Sequence, residues 1–149
     1  MKYLKPFLEE VKSYSYELIS DDPKLVKYGF VDIESNNYLV EFKNISNSKS
    51  LGTTYELVYF VEDETGYSVS KIVNVNIYSV LQTIFKDILT DFLRRFGWVK
   101  SIFFIGLAKD REKNFITLRT KIYMRYLTRN PVSGFRVSQA GNTIRLNRI

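Results

Sequence analysis

Between Ile77 and Phe96 the apolar residues fall at Ile77, Val80, Leu81, Ile84, Phe85, Ile88, Leu89, Phe92, Leu93 and Phe96. The i, i+3, i+4, i+7 spacing predicts a helix with one wide apolar face. Gln82, Thr83, Lys86, Asp87, Thr90, Asp91, Arg94 and Arg95 lie mostly on the other side. Asn76 stands where an N-cap is wanted, and Gly97 where a left-handed residue would end the helix. So broad an apolar face must pack on something, and most of the remaining chain alternates as strands do.

Taken in order, Met1 to Lys12 fits a short helix with Leu4, Leu8 and Val11 on one side and Pro6 in its first turn. Tyr14 to Ile19 reads as a strand, and Asp21-Asp22-Pro23 as a turn. Lys27 to Glu34 and Tyr38 to Asn44 form the best hairpin signal, around Ser35-Asn36-Asn37. Tyr38, Val40 and Phe42 share one face of that second strand, and Leu39, Glu41 and Lys43 the other. Ile45 to Thr53 is a polar loop. Tyr55 to Glu62 and Tyr67 to Val75 are strands joined by a turn at residues 63–66. After the long helix, Val99 to Leu107 has a continuous apolar centre at 102–105, which predicts a central strand covered on both faces.

Phe115 to Thr128 reads as a second helix with Phe115, Leu118, Ile122 and Tyr126 as its apolar stripe. Lys121 projects away, and Arg125 and Arg129 flank the stripe. Strand alternation at Ile116, Leu118, Ile122, Met124 and Tyr126 competes with that reading, and Leu127 fits the helix poorly. Asn130-Pro131 ends the element. Phe135 to Ser138 and Thr143 to Ile149 read as a closing hairpin around residues 140–142. The order predicts one α+β domain over 1–149: a mainly antiparallel sheet, two helices packed on one face, and a short N-terminal helix.

Composition closes several chemistries. The 149-residue chain has no Cys and no His. That excludes disulfides, zinc sites built on those ligands, Cys nucleophiles and His general bases. No 18-residue apolar run predicts a membrane span. Lys5, Pro6, Glu9 and Glu10 interrupt any signal-peptide core, so secretion is not expected. The glycines are isolated, so no phosphate-cradling loop and no nucleotide cofactor are indicated.

Charge is divided along the chain. Residues 109–149 hold ten cations, seven of them Arg, against two carboxylates, a surplus of +8; residues 1–108 sum to −2. Arg forms bidentate contacts with phosphate and carboxylate, so this bias points to recognition of nucleic acid or an acidic protein surface. Interleaved Phe115, Tyr123, Tyr126 and Phe135 would supply stacking rings if exposed, and would be plain core if not. The residues singled out for binding are Arg119, Lys121, Arg125, Arg129 and Arg136.

Two other readings stand beside this one. Asp32 with Glu41 and Lys43 resembles the Asp and Glu-x-Lys set of metal-dependent nucleases, where carboxylates hold Mg²⁺ and Lys positions water. A three-residue loop would instead pair Asp32 with Val40, on the face away from Glu41. A virion or assembly subunit is the other alternative, in which an acidic-leaning part meets a neighbour's basic end. Asp87 and Asp91, four apart on the long helix, are offset by Lys86, Arg94 and Arg95 and read as a solvated face.

The run Val75-Asn76-Ile77-Tyr78-Ser79-Val80, then 84–93, the strand at 102–105, and Leu118-Arg119-Thr120-Lys121-Ile122-Tyr123-Met124-Arg125 resembles small uncharacterised tailed-phage proteins and related bacterial domains of unknown function. The likeness spans roughly residues 28–129. It implies a phage origin, a place in the host cytoplasm or virion, and no catalytic residues. Arg119 and Tyr123 are the positions it carries over, as a helical i, i+4 pair. The expectation is a non-enzymatic accessory protein.

Overall fold

The computed structural model describes residues 12–46, 50–64, 66–68, 75–106 and 115–149. Its described strands form one eight-stranded sheet. They are β1 (Tyr16–Asp22), β2 (Leu25–Val31), β3 (Asn37–Asn44), β4 (Thr54–Asp63), β5 (Gly66–Ser68), β6 (Ser101–Ile105), β7 (Phe135–Ala140) and β8 (Thr143–Arg148). The spatial order is β1-β2-β3-β4-β6-β8-β7, with β5 pairing off β4. Every pairing is antiparallel except β4 with β6, which is parallel. The mixed architecture is as the sequence predicts. The short N-terminal helix lies outside the described residues.

One sheet face is apolar and covered. Val26, Tyr28 and Phe30 of β2, Tyr38, Val40 and Phe42 of β3, Tyr55, Leu57 and Val61 of β4, Ile102 and Phe104 of β6, and Ile144 and Leu146 of β8 are buried on it. The alternate residues face outward, as the strand period of two requires. β6 is central as expected, but among the described residues its outward face is not fully covered: Phe103 is half-buried and Ile105 exposed.

The cover is a helical run over 77–95: α1 (Ile77–Gln82), a π-helical segment (Thr83–Ile88) and α2 (Leu89–Arg95). Asn76 caps it as expected, its Oδ1 accepting from the Tyr78 N–H at 3.0 Å. The π segment departs from the simple helix predicted. Its cause is in the pattern: Val80/Leu81, Ile84/Phe85, Ile88/Leu89 and Phe92/Leu93 repeat every four residues, longer than the α period. At i→i+4 spacing the stripe would drift around the helix; i→i+5 underwinding holds it over the sheet. Val80, Leu81, Ile84, Ile88, Leu89 and Phe92 are at most 1% exposed. Gly97 does not take the left-handed geometry expected of it; Phe96, at φ −124° and ψ 68°, ends the helix instead.

Aromatic contacts set the helix on the sheet. Phe92 stacks on Phe42 at 4.0 Å and meets Tyr55 edge-on at 5.0 Å. Phe85 reaches Phe104 at 4.9 Å. Each such buried side chain contributes about 1.5–3 kcal/mol, and ring geometry adds about 0.5–1.5 kcal/mol per pair.

Two turns differ from the sequence reading. β1 continues through Asp21 and Asp22, so its turn to β2 moves to Pro23-Lys24. β2 and β3 pair with Val31 opposite Asn37 and Tyr28 opposite Val40, leaving a five-residue loop at 32–36. Asp32 organises that loop. Its carboxylate accepts from the Glu34 and Asn36 N–H groups, the Asn36 side chain and the Tyr38 hydroxyl. Ser35, at φ 64°, completes the turn.

A second carboxylate links sheet to helix: Asp91 accepts from the Tyr28 hydroxyl at 2.7 Å and from Arg95 Nε at 2.8 Å. Burial alone would raise both acids, but hydrogen bonds from Asn36, Tyr38 and Glu34 hold Asp32 below the usual carboxylate range, and those from Tyr28 and Arg95 do so for Asp91. A carboxyl whose folded pKa is depressed stabilises the fold above its unfolded value and loses that contribution as pH falls through the folded one. The urea midpoint is therefore expected to decline from about pH 4 downward. Asp91→Asn should flatten that decline while lowering the midpoint at neutral pH.

Candidate functional site

The basic third of the chain enters the fold through α3 (Leu118–Arg129). Thr117 caps it, its Oγ1 accepting from the Thr120 N–H at 3.1 Å. The helix N-terminus is then fastened to the sheet by the Thr117 hydroxyl, which donates to the Gly106 carbonyl, and by a buried amide. Asn142, in the turn between β7 and β8, accepts through Oδ1 from the Thr117 N–H at 2.8 Å and the Thr120 hydroxyl at 2.7 Å. Its Nδ2 donates to the Phe115 carbonyl at 2.7 Å, and its own carbonyl accepts from the Gly106 N–H at 2.8 Å. Gly106 is required there: a Cβ would come within 2.1 Å of Thr120 Oγ1 and 2.8 Å of its backbone nitrogen.

This fastening sets the rotation of α3. Thr120, Tyr123, Tyr126 and Leu127 are its buried residues. The predicted stripe is therefore turned: Leu118 is 72% and Phe115 60% exposed, and Ile122 is only half-buried. A polar Thr occupies a buried position because Asn142 needs its hydroxyl. Leu127, which fits the predicted phase badly, fits this one.

The aromatic residues divide accordingly. Tyr123 rests against Phe104 and Phe85, with its hydroxyl 2.8 Å from that of Tyr59. Burial first, and then Tyr59, push its pKa well up. Burial and then Asp87 push Tyr126 up to about 12. Phe135 is also buried, with Arg148 4.7 Å over its ring. These rings are core. Of the four interleaved aromatics, Phe115 alone is exposed.

The turned phase brings Lys121, Arg125 and Arg129 onto one exposed edge of α3, at i, i+4 and i+8. Among the described residues none of the three has a carboxylate within 4.0 Å. Arg119 is turned away from this edge, half-buried and close enough to Tyr123 to oppose the rise in its pKa. Residues 118–129 hold four cations and no acid. Arg136 is not part of this edge. It sits on β7 between the inward Phe135 and Val137, so it projects from the opposite face of the sheet. Arg145 shares that outer face, 5.2 Å over Phe103. Arg148 is tied to the carbonyls of Val99 and Gly97.

The nuclease set does not assemble. Asp32 is turned to the inner side by its bond with Tyr38, an inward residue, and its oxygens are taken up by the loop. Glu41 is on the outer face opposite Lys27, 3.9 Å from its Nζ. Lys43 shares that face, next to Glu56. One ion therefore cannot bridge Asp32 and Glu41. Asp91 is taken by Tyr28 and Arg95, not by Asp87. No cluster of three acids able to hold a metal occurs among the described residues, and no described helix is long and apolar enough to cross a membrane.

No protein-family model, curated protein or solved structure matches the chain. The resemblance to tailed-phage proteins rests on the residues quoted for it.

Asn142→Ala leaves a helix N–H and a hydroxyl buried without their acceptor, and should cost about 1–3 kcal/mol. Gly106→Ala forces the α3 backbone away and should cost about 2–3 kcal/mol. Both are checked by the urea midpoint at unchanged m-value.

Proposed function

We propose that this protein is a non-enzymatic phage accessory protein that holds nucleic acid along the cationic edge of α3. The observation that carries this reading is the alignment of Lys121, Arg125 and Arg129 on one exposed helix edge, with no carboxylate in ion-pair range among the described residues. At 1.5 Å per residue the three cations are spaced about 6 Å apart along the axis, so they meet successive phosphates along a strand. The helix is held rigidly at its N-terminus by Asn142, so the cations keep their line without ordering a loop. Because the Tyr123, Tyr126 and Phe135 rings are buried, which leaves Phe115 as the one exposed ring of the four, backbone contact more than base stacking is the source of affinity. The expected behaviour is low sequence preference and strong dependence on salt.

The test uses fluorescence anisotropy with a labelled oligonucleotide short enough to span one copy. Three phosphate contacts on duplex DNA give a log-affinity against log-salt slope near −3. Lys121→Glu with Arg125→Glu and Arg129→Glu should abolish binding while the circular dichroism spectrum and melting temperature stay close to those of the parent. Arg136→Glu, on the other face of the sheet, should change affinity less than about twofold. Nucleic-acid binding that survives the triple reversal, or none by the parent at low salt, removes the reading.

A further inference from the structure

We propose that copies of this chain join edge to edge, with β7 of one copy pairing antiparallel to β1 of the next. Among the described residues β1 pairs only with β2, and β7 only with β8, so the sheet ends in two free strands of seven and six residues. Both edges are largely exposed. An open strand edge presents unpaired N–H and C=O groups and is a template for another strand unless charge, proline or a bulge guards it. β7 has no proline, and its last four residues, Val137 to Ala140, carry no charge. It is the less protected edge.

Charge selects the partner. β1 contains Glu17, Asp21 and Asp22 and no cation, whereas 135–149 contains Arg136, Arg145 and Arg148 and no acid. Asp21 is engaged with Arg95 at 3.6 Å. The register and bulge place Glu17 and Asp22 on the outer sheet face, the same face as Arg136 and Arg145. Pairing β1 with β1 would oppose carboxylates, and β7 with β7 would oppose arginines. Pairing β7 with β1 sets opposite charges across the junction.

Strand direction agrees. Following the sheet from β1, the one parallel step between β4 and β6 leaves β7 running opposite to β1. A second copy that continues the sheet, with its helices on the same side, thus meets β7 with an antiparallel strand. The bulge at Ile19 shifts the register between Leu18 and Ser20, so the ladder forms on one side of it or the other. The interface is heterologous, and repeated addition gives a ring or a filament.

Sedimentation velocity over protein concentrations up to roughly 100 µM reads this directly. The parent should self-associate beyond a dimer, less so when salt is raised from about 50 mM to about 500 mM. Glu17→Lys with Asp22→Lys should be monomeric, and so should Arg136→Glu with Ser138→Glu. An equimolar mixture of the two variants should recover association, which misfolded chains would not do. The α3 triple reversal should associate like the parent, so the two proposals fail separately. A parent that stays monomeric, stops at a dimer, or associates unchanged in either edge variant overturns the inference. Variants that fail to recover on mixing overturn it too.

Discussion

Everything in this fold depends on covering a sheet face made largely of rings. Tyr28, Phe30, Tyr38, Phe42, Tyr55 and Phe104 point to one side, and left in water they would expose more apolar surface than the chain tolerates. The helical run over 77–95 is the main cover. Its apolar pairs recur every four residues, so an ordinary α-helix would carry the stripe off the sheet. The π-helical centre is therefore tied to the covering function. Phe85 lies inside that segment and joins three elements at once, touching Phe104, Tyr123 and Tyr126. The underwinding places the residue on which both helices and the sheet converge.

Polar groups inside this layer act as positioning bolts. Asp91 fixes one end of the long helix to β2 through Tyr28, and Asn142 fixes the start of α3 to β6 and β8. Buried polar groups cost stability unless they are paired, and no buried side-chain nitrogen or oxygen among the described residues lacks a partner. The surface arrangement depends on the second bolt. Were α3 free to rotate so that Leu118 and Ile122 faced the core, Lys121, Arg125 and Arg129 would move with them, and Arg129 would turn inward. Its exposure follows from Thr120 being held by Asn142.

The fold was largely legible in residue order, for a physical reason. Strand alternation is legible in β2, β3 and β4 because the inward positions are apolar and buried while Lys27, Glu41, Lys43, Glu56 and Glu62 mark the outer face, and the helix at 77 has an unmistakable cap in Asn76. Sequence and structure part where tertiary contact overrides local pattern. The phase of α3 differs because Thr120 is polar and Leu118 apolar, yet a buried amide rewards the Thr and leaves the Leu in solvent. The turn lies at 32–36 because Asp32 collects donors from within its own loop, a gain invisible to hydrophobic periodicity. The π segment is not specified by its four-residue repeat alone; two templates, three-four and four-four, fit the same apolar residues until burial is known. In the candidate site, the i, i+4, i+8 spacing of Lys121, Arg125 and Arg129 is present in the sequence, but the phase that exposes all three depends on Thr120 being held by Asn142. The separation of Arg136 was not readable, since it follows from which side of β7 meets the core.

The two surface features occupy different directions of the molecule, and this bears on how they combine. The cationic edge looks outward from the helical layer, whereas the strand edges lie at the sheet's lateral limits. Antiparallel continuation keeps every helical layer on one side of an extended sheet. Successive α3 edges would then form a row of cationic lines, each weak alone. A strand of nucleic acid crossing two or more would dissociate only when all release together, so its affinity would rise with the number of copies engaged, without any new contact. Three phosphate contacts per copy would be a modest hold at physiological salt. In a ring or filament it would become a firm one, since each copy would add its own cationic edge to the same strand.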